Sequence, residues 1–159
     1  MLKRKAWERL EHWKRTDARK ALMITGARQI GKTTLVREFA KQRYRRFAEL
    51  NFLEDPRAAS VFDGSLSADA VISNLTAYLQ TQLEPGHTLI LLDEIQECPS
   101  ARTAIKFLVE DGRFDYVETG PLLGVKNKQV ASYPVGFEEQ LRICLLYTSP
   151  SPRDMRRSR

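Results

Sequence analysis

The sequence predicts an α/β fold, three layers deep, with a mostly parallel sheet at its centre. Three observations predict it. Short apolar runs alternate with stretches of helical spacing, which implies crossover connections between parallel strands. The run "TLILLD" is almost wholly apolar, as a strand covered on both faces must be. And a glycine-bounded stretch, "GARQIGKTT", follows one apolar run and opens a helical one.

Element by element, Leu2, Ala6, Leu10 and Trp13 share one face of a helix over 2–15. "KALMITG" reads as a buried strand that stops at Gly26. Leu35, Val36, Phe39 and Ala40 recur at helical spacing directly after the loop. "RFAELNF" is a second strand, closed by the turn-prone "LEDPR". Ser67 is placed to cap a helix with apolar positions Val71, Ile72, Leu75, Tyr78, Leu79 and Leu83, which "EPGH" then breaks. "TLILLDE" follows as a strand. Pro99-Ser100 starts a helix that buries Ala101, Ala104, Ile105, Leu108 and Val109, and "FDYVETG" and "FEEQLRI" are two further strands.

Gly26-Ala27-Arg28-Gln29-Ile30-Gly31-Lys32-Thr33 fits G-x-x-x-x-G-K-[ST] without a departure. A loop that wraps phosphates needs close backbone approach and unusual torsions, which glycine adopts at least cost. The helix opening at Lys32 adds backbone N–H groups and its partial positive charge. Lys32 is the expected partner of the β- and γ-phosphates of ATP, Thr33 an expected Mg²⁺ ligand, and Thr34 a further phosphate contact. Arg28 and Gln29 are expected to turn their side chains to solvent. The fold class sharpens to a P-loop NTPase.

Asp93 and Glu94 follow four aliphatic residues at a strand end, where an open parallel sheet holds its ligands. Asp93 is expected to anchor Mg²⁺, directly or through water and Thr33. Glu94 is expected to orient and deprotonate an attacking water. Taken alone, an acidic pair at a strand end is often only a solvated turn. Three functions stay open: an ATPase, a nucleotide-held switch with little turnover, and a kinase for a small hydroxyl compound. The adjacent acids favour water activation.

With "ITGARQIGKTTLVREFA", "LILLDEIQECP" and "FDYVETGPLLG" together, residues 4–143 resemble prokaryotic AAA+-type ATPases, and more narrowly the group that ends in a C-terminal domain of unassigned function. The resemblance implies ATP, Mg²⁺, hydrolysis at the strand-end glutamate, and assembly with other subunits, a homo-oligomer included. It also implies a polar sensor at the end of the fourth core strand. Pro121 stands where the family has serine and offers neither hydroxyl nor N–H, so Thr119 is the residue left for that role. Asn51 reads as a turn cap before "LEDP"; the resemblance offers the alternative that it holds the catalytic glutamate. Arg102 and Arg113 are read as surface residues, either of which the resemblance would let act on a neighbouring subunit's nucleotide.

The stretch "CLLYTSPSPRD" breaks the character of the chain and resembles a translated sequencing adapter. The expected organisation is therefore an N-terminal helix and linker (1–20), an ATP-binding core truncated at the fifth core strand (21–143), and a non-native tail (144–159). On that expectation the fragment hydrolyses ATP poorly and lacks its C-terminal domain. The net charge of +6 draws on four arginines and one aspartate in residues 144–159. It does not support a nucleic-acid partner. Two scattered cysteines, no signal-peptide pattern and no membrane-length apolar run set the cytoplasm as the expected location. Trp7 and Trp13 read as packing residues, His12 and His87 as isolated, and Cys98 as a small loop residue.

Overall fold

A computed structural model describes residues 2–16, 20–27, 30–122 and 136–143, with the Leu2 side chain left aside. The elements are α1 (Leu2–Arg15), β1 (Ala21–Gly26), α2 (Lys32–Arg43), β2 (Arg46–Asn51), a 3-10 turn (Pro56–Phe62), α3 (Ala68–Leu79), β3 (Thr88–Asp93), a second 3-10 turn (Ile95–Glu97), α4 (Pro99–Asp111), β4 (Asp115–Gly120) and β5 (Glu138–Ile143). The five strands form one sheet in the order β2-β3-β4-β1-β5. Every pairing is parallel.

Alternation along the strands splits the core in two, because successive side chains leave opposite faces of a sheet. Leu22, Ile24, Leu89, Leu91 and Val117 pack with α1 and α2 on one face. Met23, Ile90, Leu92 and Tyr116 pack with α3, α4 and the first 3-10 turn on the other. β1 and β3 are buried at every position, so their apolar runs carry no alternation to read. Each fully buried leucine or isoleucine stabilises the fold by about 1.5–3 kcal/mol.

The helix ends follow local chemistry. Ser67 Oγ accepts the Ala70 N–H at 3.3 Å and starts α3, a cap worth about 1 kcal/mol. α3 stops at Leu79, with Gln80 in the left-handed region at φ 54°. The expectation that this helix runs to Leu83 is corrected: Leu83 packs against the core from beyond the helix end. Pro99 stands in the first turn of α4, where its missing N–H costs nothing. Gly112, at φ 77°, closes that helix with a bond from its N–H to the Leu108 carbonyl.

α1 is joined to the sheet by its tryptophans. Trp13 is fully buried and donates its indole N–H to the Lys20 carbonyl at 2.6 Å, just before β1. Trp7 meets Phe39 of α2 edge to face at 5.2 Å. Arg102 departs from expectation. It is a buried residue of α4, tied to Glu138 of β5, rather than a surface arginine. Arg113 is about a third exposed and pairs with Asp69 and Asp111. Cys98 is a loop residue as expected, buried as the cap before α4.

Candidate functional site

Parallel pairing brings the carboxyl ends of β1, β3 and β4 to one edge of the sheet, and the site is built there. Gly26 ends β1 opposite Ile143 of β5. A Cβ at Gly26 would lie 2.5 Å from the Ile143 carbonyl oxygen, so only glycine fits. Gly31 caps α2 at φ 93°, ψ 16°, a conformation that glycine adopts without strain. α2 opens at Lys32, and the first N–H groups of any helix have no carbonyl one turn back within it. Arg28 and Gln29 lie outside the described residues.

Lys32 is 6% exposed. Its Nζ donates to the carbonyls of Gly26 (2.6 Å), Ala27 (3.4 Å) and Gly120 (3.2 Å). The ammonium therefore ties the loop to the end of β4, a contact that the motif alone does not suggest.

Asp93 is 2% exposed and sits at the centre of the constellation. Thr33 donates its hydroxyl to Asp93 Oδ2 at 2.9 Å, and Asn51 donates its amide to the same oxygen at 3.1 Å. Thr119 donates its hydroxyl to Asp93 Oδ1 and accepts the Glu94 backbone N–H at 3.0 Å. Asn51 also does what its place before "LEDP" suggests: its Oδ1 accepts the N–H groups of Leu53 and Glu54, each at 2.9 Å. Its contact is with Asp93, where the family resemblance would have it hold Glu94. Sequence reasoning missed this bond. The signal was the register, which sets Asn51 directly opposite Asp93.

Glu94 lies one residue past the end of β3, in the left-handed region at φ 59°, ψ 51°. That corrects the expectation that both acids end the strand. Its carboxylate accepts from Gln96 Nε2 at 2.8 Å. Ile30, Gly31, Thr34 and Leu35 border a hollow of about 250 Å³, closed by Ala6 and Lys3 of α1 and by Ile143. A second hollow, of about 460 Å³, opens at the other end of the sheet beside Ala21, Asp115 and Tyr116 and touches none of the loop residues.

Comparison with known proteins decides the family. A model described as "AAA domain" matches residues 18–148. The chain belongs to this AAA domain family. It is an AAA+-type P-loop ATPase domain with the α/β fold expected from the sequence.

No curated protein matches the chain. Among solved structures, the domain is similar to the Aeropyrum pernix ORC1 protein in complex with DNA, with 17% identity and a TM-score of 0.52 over 89% of this chain and 44% of that one. A RuvB variant from Thermotoga maritima matches at 18% identity and TM-score 0.47, over 87% and 42%. The C. elegans PCH-2 structure matches at 17% and 0.45, over 89% and 38%. The AAA domain thus spans less than half the length of each. No helix among the described residues is long and apolar enough to cross a membrane.

Proposed function

We propose that this AAA domain binds ATP with Mg²⁺ and hydrolyses it, with Glu94 as the base for water. The Thr33–Asp93 contact carries the reading. A hydroxyl and a carboxylate 2.9 Å apart at the mouth of a glycine-ended loop are hard oxygen donors, the set that suits Mg²⁺ when water and phosphate supply the rest. Thr33 and Asp93 would hold the ion, which when bound neutralises charge on the β- and γ-phosphates.

The chain's own residues do the rest. Lys32 supplies the cation for the β- and γ-phosphates, and the backbone from Gly26 to Thr34, Arg28 and Gln29 included, wraps them. Ile30, Leu35 and Ala6 offer apolar walls for the base. Thr119 keeps Asp93 and Glu94 in fixed relation. Glu94 takes a proton from water as the new O–P bond forms and the bond to ADP breaks. Phosphate-release assays test this. Glu94→Gln should keep ATP binding and lose release by about 10²- to 10⁴-fold, the range of a general base. Wild-type release from that variant would overturn the assignment.

A second reading is a switch that retains nucleotide with little turnover. Tight ATP retention without phosphate release would select it. We also propose the division 1–20, 21–143 and 144–159; the family match ends five residues past the second boundary. Slow turnover of this chain, a C-terminal domain beyond it, homo-oligomeric assembly and a cytoplasmic location belong to the same proposal. The engagement of both Arg102 and Arg113 in ion pairs supports slow turnover.

A further inference from the structure

Gln96 takes no part in the chemistry above. It stands in the 3-10 turn after β3, two residues beyond Glu94. Its Nε2 donates to Glu94 Oε1 at 2.8 Å. The amide can face only one way there, since a carboxylate accepts and does not donate.

The Glu94 backbone is held on both sides. Its N–H goes to Thr119 Oγ1 at 3.0 Å, and its carbonyl accepts the Glu97 N–H at 3.1 Å. Its left-handed torsions are uncommon for a residue with a Cβ, and such strain persists only where the surroundings impose it. The peptide is thus fixed, while the side chain has three rotatable bonds of its own. Gln96 restrains them.

The arrangement leaves Gln96 Oε1 buried without a donor among the described residues. An unmet buried oxygen is unfavourable. The amide nitrogen stays on Glu94 despite it. Asn51, the other amide near the acids, is already engaged by Asp93 and by the turn.

We propose that Gln96 is a positioning residue for Glu94: it fixes Oε1 and leaves Oε2 to accept the proton of water. The proposal rests on Glu94 being the base. A base held in one rotamer meets the water in a productive orientation more often, and small misplacements at such a group cost about ten- to a hundredfold in rate.

The test compares the full chain with Gln96→Met, which keeps length and removes the N–H, and with Gln96→Glu, which puts an acceptor where the donor stood. Each variant should lower kcat about ten- to a hundredfold while KM for ATP stays within about twofold. A readout independent of turnover is the Gln96 side-chain amide resonance in the nucleotide-free chain. It should shift when Glu94→Ala removes the acceptor. Wild-type kcat in Gln96→Met, or an amide resonance unmoved by Glu94→Ala, overturns the positioning role. If Glu94→Gln itself keeps wild-type release, the base assignment falls first, and that result is separable from loss in Glu94→Gln with none in Gln96→Met.

Discussion

Arg102 and Glu138 form a two-pronged ion pair across the sheet face, Nη2 to Oε1 at 2.8 Å and Nε to Oε2 at 3.3 Å. Both side chains are less than a tenth exposed, and Gln140 donates a further bond to Glu138 Oε1 at 2.9 Å. A pair this buried is expensive to break and cheap to replace whole. Arg102→Ala should cost about 3–5 kcal/mol in denaturant unfolding. Arg102→Met combined with Glu138→Leu should recover most of that loss. Equal losses in the single and double variants would show that the pair is not coupled.

Glu118 lies beside this pair, fully buried, with no N–H or O–H donor to either oxygen among the described residues. Burial first, and then the charge of Glu138, push its carboxyl well above the ordinary carboxylate value, against a smaller opposing pull from Arg102. The folded state therefore favours the neutral acid at Glu118 over the carboxylate. A raised folded value means a contribution to stability that is complete below the unfolded value of 4.5 and lost as pH climbs through the folded one. Unfolding free energy should fall with rising pH above 4.5, and Glu118→Gln, the isostere of the neutral acid, should flatten that slope. A slope unchanged in Glu118→Gln assigns it to another group.

Lys32→Ala should weaken ATP binding, measured by calorimetry with Mg²⁺, by tenfold or more, from loss of charge-assisted bonds worth about 1.5–3 kcal/mol. It should also lower the melting temperature without nucleotide, since the Gly26, Ala27 and Gly120 carbonyls lose their shared donor. Unchanged affinity would remove Lys32 from the phosphate site.

Gly26→Ala forces a Cβ against the Ile143 carbonyl, which backbone pairing prevents from stepping aside. Overpacking of this kind costs about 1–3 kcal/mol. The variant should melt lower and bind ATP more weakly, because its loop springs from a displaced strand. Wild-type values for both would mean that β5 yields freely there.

The strands and helices were legible because their signals are local: a capping serine at 67, a proline at 99, and apolar runs bounded by glycine. The loop motif was legible for the same reason, since its residues are neighbours in the chain. Contacts set by tertiary register were not. Arg102 looked like an ordinary helix-surface arginine, and only the position of β5 beyond β1 brings Glu138 to it. Leu83 is apolar and packs on the core from beyond the end of α3, which periodicity alone cannot distinguish from helix. The bond from Asn51 to Asp93 required knowing that β2 and β3 are neighbours. That adjacency follows from fold, not from spacing.

The Thr119 hydroxyl has one hydrogen, and the structure commits it. It goes to Asp93, so the oxygen is left to receive the peptide N–H of Glu94. The chain of bonds therefore has a direction, from peptide to hydroxyl to carboxylate, and bonds aligned head to tail polarise one another. Whatever draws charge out of Asp93 loosens the grip on the peptide of Glu94, with no atom needing to travel. The Asp93 carboxylate and the Glu94 peptide are thus wired through a single oxygen. Valine, nearly the same size, would cut both links at once.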